Sequence, residues 1–174
     1  MYNSILQFIE KDTEKIGNLA MDFLLNGNML RFEEGLLETL IEFGRKIYQE
    51  TLESLEQTIR ESAFRKEDYY VEHKEDTRNI LTIFGNIEIK RAYYKTKKDG
   101  SRVYLLDQLV GMDSHDKVSQ AVLARALKES VETSYQKGGE DACLTNDDVT
   151  KQTVKKLIHG LDIEMPEEIP AKKK

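Results

Sequence analysis

Cysteine is all but missing from this chain. Cys143 stands alone among 174 residues, which excludes an internal disulfide framework and any cysteine-rich zinc site. Histidine is nearly as scarce: His73, His115 and His159 lie far apart without a ligand-spaced partner, so no histidine pair for a metal is on offer. No apolar run approaches the ~20 residues of a bilayer span, and the N-terminal MYNSILQFIEKDTEK has an acid too early and no cleavage pattern. The expectation is a cytoplasmic protein with no membrane partner. Both prolines fall in MPEEIPAKKK, a stretch without periodicity that predicts a disordered tail over 163–174. The motifs of catalysis are missing too: there is no nucleophile elbow, no phosphate-cradling glycine loop and no metal-spaced histidines. No catalytic residue, metal or cofactor is assigned.

What the chain does have is charge, and it is unevenly placed. Net charge is −6 with a pI near 5.2, which argues against indiscriminate coating of nucleic acid. Between Arg78 and Arg102, however, seven bases stand against two acids, giving +5 and leaving −11 for everything else. Val149 to Leu161 is a second basic island, with three lysines and no acid.

Apolar residues at three-and-four spacing predict an amphipathic helix over Ser4–Leu25, ended by Asn26-Gly27-Asn28. A longer helix is predicted from about Arg31 to Arg65, with Leu37, Ile41, Gly44, Tyr48, Leu52, Leu55 and Ile59 along a nearly heptad seam. At ~1.5 Å per residue it would run roughly 50 Å, and the first helix covers only about half of that. The remainder suits either a homodimer through the long helix or packing within the chain. Residues 1–66 thus form an N-terminal helical region. The mixed charge of EDYYVEHKEDTR predicts a linker over 67–78. β-Branched and aromatic residues then predict a three-stranded meander over 79–112, with turns at Gly85-Asn86 and Asp99-Gly100. Its second turn carries Lys95, Lys97 and Lys98, which suit either a phosphate backbone or a solvated tip that resists aggregation.

Residues 113–162 read as a helix-turn-helix-like unit of three helices. Asp113 or Ser114 would cap a helix from His115 to about Val131. The group Asp113, His115 and Asp116 points in different directions on a helix and is not read as a metal site. In SYQKGGEDACLTNDDVTKQTVKKLIHGL, Asp147 and Asp148 precede a last helix whose Val154, Leu157, Ile158 and Leu161 share one side. Lys151, Gln152, Lys155, Lys156 and His159 share the other, an arrangement that fits DNA recognition and equally fits an ordinary solvated helix face. Gly138-Gly139 would weaken the preceding helix by about 1 kcal/mol per glycine.

The segments ILTIFGNIEIKRAYYK, VYLLDQLVGM, SYQKGGEDA and TKQTVKKLIHGL resemble the N-terminal portion of bacterial insertion-sequence transposases of the ISLre type. That group is also catalogued as an uncharacterised bacterial protein family, and mutator-type transposases are more distantly similar. The resemblance implies binding of double-stranded DNA at the element's ends. It also implies a ribonuclease-H-like catalytic domain beyond Lys174, so this chain is expected to be a truncated, non-catalytic part.

The fold expected is α+β, mainly α. The DNA-binding residues expected are Thr150, Lys151, Gln152, Lys155 and Lys156, with Lys90, Arg91, Lys95, Lys97 and Lys98 on the phosphate backbone. The alternative is an oligomeric helical interaction module that binds no DNA.

Overall fold

A computed structural model describes residues 3–113 and 115–160 of the chain. The fold is α+β and mainly α, with one three-stranded antiparallel sheet whose strands lie side by side in chain order. The expected tail and Leu161 lie outside the described residues. Among the described residues, no helix is long and apolar enough to cross a membrane.

The first helical stretch comprises α1 (Asn3–Gln7), a π-helical turn (Phe8–Asp12) and α2 (Thr13–Asn26). Gly27, at φ 67°, supplies the left-handed residue that ends it, and the Asn28 side chain accepts from the Arg31 amide to start α3 (Met29–Glu61). The two stretches lie side by side, with Phe8 against Phe43 and Phe23 against Phe32 at centroid distances of 4.2 and 5.4 Å. The long helix does not run on to Arg65. Ser62 adopts extended backbone and caps a separate α4 (Ala63–Asp68) by accepting from the Arg65 amide.

The linker expected over 67–78 is not one: its first two residues end α4 and the rest form the greater part of a strand. β1 (Tyr69–Thr82) pairs with β2 (Gly85–Thr96) from Tyr69↔Thr96 to Thr82↔Gly85, with irregularities near His73. Residues 69–76 are largely exposed on this strand: Tyr69 and Val71 lean on Ala92, Tyr94 and Leu105, but Glu72 to Glu75 are all exposed. That is why they show no apolar periodicity. The hairpin turns at Ile83-Phe84 rather than at Gly85-Asn86, because Gly85 already pairs with Thr82. The third strand is only β3 (Arg102–Val103), and the apolar segment after it, expected to be strand, is α5 (Leu105–Val110).

Leu52, Leu55 and Ile59 of α3 pack with α5 against Ile80, Ile87, Ile89 and Leu106. A second core lies at the hairpin's turn, where Leu81 meets the three C-terminal helices, α6 (Gln120–Glu132), α7 (Tyr135–Glu140) and α8 (Lys151–His159). Helix α6 begins at Gln120, capped by Ser119, and not at His115. Residues 117–119 are instead held extended beside β1: the Leu81 amide donates to the Lys117 carbonyl at 2.8 Å and the Ser119 amide to the Leu81 carbonyl at 2.9 Å.

Gly138 and Gly139 are where the helices touch. A β-carbon on Gly138 would lie 2.0 Å from Ser130 Oγ and 2.7 Å from the Ala126 carbonyl oxygen. One on Gly139 would lie 2.0 Å from the Val149 carbonyl oxygen. The two glycines that looked like a weakness let α6, α7 and the approach to α8 come into backbone contact.

Candidate nucleic-acid interface

Helix α8 is started by Thr150, whose hydroxyl accepts from the Thr153 amide at 3.3 Å. Asp147, expected to serve that end, turns to the hairpin instead: it accepts from Thr145 Oγ1 at 2.8 Å and from Asn86 Nδ2 at 3.3 Å. Val154 is fully buried and Ile158 half-buried against Leu81, Val122, Ala126 and Val149. Packing that side fixes the other. Thr150, Lys151, Gln152, Lys155, Lys156 and His159 are all exposed, and the three ammonium groups have no ion-pair partner among the described residues.

The connection between α7 and α8 covers residues 141–150, longer than the three to four residues of a helix-turn-helix turn. Its path is pinned: the Leu144 amide donates to the Ile83 carbonyl at 2.8 Å, and Arg125 Nε donates to the Ala142 carbonyl at 2.9 Å. The unit therefore keeps the order of a helix-turn-helix but not its tight turn.

The second basic group sits at the opposite end of the hairpin. From Gly85 to Thr96, β2 spans roughly 35 Å at ~3.3 Å per residue, with α6–α8 at one end and the Lys95–Gly100 turn at the other. Lys95 and Lys98 are exposed there without ion pairs among the described residues, while Lys97 donates to the Lys66 carbonyl at 2.7 Å and lies 4.9 Å from the Tyr70 ring centroid. Lys90 projects outward midway and meets Glu75 at 3.5 Å. The structure thus brings Thr150, Lys151, Gln152, Lys155 and Lys156 together on one helix, and holds the hairpin lysines apart from them.

Arg91 is not at the surface. It is 7 % exposed, its guanidinium pairs with Asp107, and its other contact is the Tyr104 ring, 3.6 Å from guanidinium to centroid. Arg78 joins the same carboxylate from β1 at 2.5 Å and donates to the carbonyls of Asp113 and Asp116 at 2.8 and 2.6 Å. One buried carboxylate thus serves two buried cations. Tyr104 donates to Asp76 at 3.0 Å, and burial followed by that carboxylate raises the phenol above its ordinary range. Nearby, Tyr94 donates to the buried Glu56 at 2.6 Å; burial pushes both groups up, so Glu56 favours its neutral form more than a free glutamate does.

Sequence reasoning missed this polar core, although one signal was present. Arg91 follows Ile87 and Ile89 by twos, so strand alternation places it on their side while Lys90 faces away. Asp113 and Asp116 are occupied structurally, the Asp113 amide donating to Asp116 Oδ2 at 3.0 Å. Among the described residues, no three His, Cys, Asp or Glu side chains are grouped to hold a metal ion. Cys143 is buried, and that burial raises its thiol above the usual range.

The family model described as Uncharacterised protein family (UPF0236) matches residues 24–173. One similar protein, UPF0236 protein TTE2489 of Caldanaerobacter subterraneus subsp. tengcongensis, is 32% identical over 163 residues, which cover 92% of this chain and 35% of the relative. Another from the same organism is 33% identical over 171 residues, covering 97% of this chain and 36% of the relative, and its printed name joins eleven designations, from TTE0033 to TTE2212. The chain spans about a third of the length of the curated relatives it matches. No solved structure matches it. With the family model covering most of its residues, the chain belongs to the UPF0236 family.

Proposed function

We propose that this chain is a non-catalytic, double-stranded-DNA-binding portion of a transposase-like protein, and that α8 is its reading element. The observation that carries the reading is the outer face of α8. Lys151, Gln152, Lys155 and Lys156 stand exposed on a helix anchored by Val154, with no ion-pair partner among the described residues. Glutamine can pair bidentately with adenine in a major groove, and lysines meet guanine edges or phosphates. Lys95, Lys97 and Lys98 stand at the far end of β2, whose length of roughly 35 Å is about one turn of duplex, and would supply a second backbone contact. Net charge does not oppose this. Residues 1–61 hold twelve acids and six bases, which is the chain's whole −6, so the remaining residues are neutral overall.

The resemblance to ISLre-type transposases supports the same reading. So does the name of the relative that joins eleven designations, since a protein encoded at many loci is what a mobile element leaves behind. Strand-transfer chemistry is proposed for the remainder of such proteins and for none of the residues here.

The test is a titration of labelled duplex DNA, read by fluorescence anisotropy across a range of salt. Replacing Lys155 and Lys156 with alanine should reduce the slope of log affinity against log salt by about one to two. Absence of binding to any duplex at low salt would overturn the proposal.

A further inference from the structure

Helix α2 is apolar on two opposite sides, and only one of them is occupied. Ile16, Leu19 and Phe23 turn toward α3, where Leu19 lies against Gly35 and Phe23 stacks on Phe32. At 100° per residue, Met21, Leu24 and Leu25 point the other way, and they are 56, 74 and 77 % exposed. Met29 and Leu30 continue the patch across the turn at 58 and 65 %. A helix apolar on both faces belongs between two layers. The same conclusion follows from the packing of the pair: no residue of α2 is buried, and the buried residues of α3 are Thr39 and Glu56, neither of them apolar. Among the described residues, the buried apolar side chains all lie at Ile80 or later. The helical hairpin is therefore a single layer lacking its second.

We infer that the missing layer is a second copy of the chain, docked through Met21, Leu24, Leu25, Met29 and Leu30 about a two-fold axis to form a four-helix bundle. Charge selects this occupant. Between Met21 and Arg31 the only charged residues are Asp22 and Arg31, and they neutralise each other within one chain at 3.3 Å. Two copies of so neutral a patch meet without repulsion, as an isologous contact requires. A cationic partner would be drawn instead to Glu33, Glu34 and Glu38 further along α3, and the acidic helices would repel an anionic membrane or DNA. Geometry allows it as well. The hairpin turn touches α3 at Gly44, through Phe84, and Leu144 to Asn146 share a cleft with Glu34 to Arg45, while Met29 and Leu30 lie about a helical turn beyond that cleft, which leaves the patch clear for a second chain.

The experiment is analytical ultracentrifugation of the full chain, wild type and Leu24→Glu/Leu25→Glu, with circular dichroism to verify helix content. The wild type is expected to be a dimer with Kd at or below about 10 µM, and the double variant should weaken it by roughly 100-fold or more with its helices intact. As a second measurement, Leu25→Cys in a Cys143→Ser background should cross-link between chains on oxidation, whereas Gln136→Cys on α7 should not. A monomeric wild type at ~100 µM overturns the inference. So does a dimer that survives the glutamates, since that dimer uses another face. Lys155→Ala/Lys156→Ala should leave the dimer unchanged, which separates this inference from the DNA-binding proposal.

Discussion

Replacing Asp107 with asparagine should be among the most damaging single changes in this protein, and replacing its partner Arg91 with methionine among the mildest for so buried a residue. Asp107, Arg78 and Arg91 are 3, 5 and 7 % exposed, and the one carboxylate faces both guanidinium groups. Removing it strands two cations in a site almost closed to solvent. Breaking one buried pair costs about 3–5 kcal/mol, and losing the anion for two cations places Asp107→Asn at the upper end of that range. A domain with about 5–15 kcal/mol of stability would be brought close to unfolding. Arg91→Met removes the surplus cation and leaves Arg78 and Asp107 as a matched pair. It forfeits the contact with Tyr104, worth about 1 kcal/mol, and recovers part of that through an apolar side chain in the same space. Urea unfolding followed by far-ultraviolet circular dichroism compares the three proteins at constant m-value. The reasoning fails if Asp107→Asn lies within ~1 kcal/mol of wild type, or if Arg91→Met costs as much as Asp107→Asn.

Gly139→Ala should destabilise by about 2 kcal/mol or more, lowering Tm by roughly 4–8 °C, because its methyl would overlap the Val149 carbonyl oxygen; a raised Tm would mean that helix propensity outweighs the contact. Glu56 has a folded-state pKa raised by burial, so its stabilising contribution is complete below the ordinary glutamate range and is lost as pH climbs through the raised value. Glu56→Gln should therefore gain on wild type as pH rises above the ordinary glutamate range in denaturant titrations, and a pH-independent difference would contradict the assignment. Replacing Lys95, Lys97 and Lys98 with alanine should weaken binding to a duplex of ~20 base pairs but not to one of ~8, which at ~27 Å is too short to reach from α8. Equal losses on both lengths would show that the two basic groups lie closer together than the hairpin implies.

The helices and the sheet were legible where burial sets a period. The repeat of apolar residues in α2 and α3 reflects the faces these helices turn to each other and, from Leu52 on, to the sheet, and the alternation of Ile87 with Glu88, Ile89 with Lys90, reflects a face turned to a core. Residues 69–76 were illegible for the opposite reason, since from Glu72 to Glu75 the strand exposes its side chains and leaves no apolar signature. The start of α6 was misplaced because Asp113, Ser114 and Ser119 are all competent caps. What selected Ser119 was the extended pairing of residues 117–119 with Leu81, a contact across 36 residues of sequence. Gly138-Gly139 reads as helix-breaking locally and as close packing only once Ala126, Ser130 and Val149 are in place.

The charge map failed in a more instructive way. Seven bases between Arg78 and Arg102 look like a cationic surface, but their acids come from outside that window: Asp107 for Arg78 and Arg91, Glu72 for Arg102, Glu75 for Lys90. A strand carries its neighbour's charges alongside its own, so a window along the sequence counts only half of what meets in space. Lys95, Lys97 and Lys98 are what is left of that island. On α8 the same window gives a sound answer, because a surface helix meets its neighbours through its apolar side and leaves its outer charges alone. Among the described residues Lys151, Lys155 and Lys156 have no ion-pair partner, and on the proposed reading a DNA phosphate would supply one. Alanine at Lys155 and Lys156 should therefore cost more affinity than alanine at two of the hairpin lysines, although the hairpin window holds more bases.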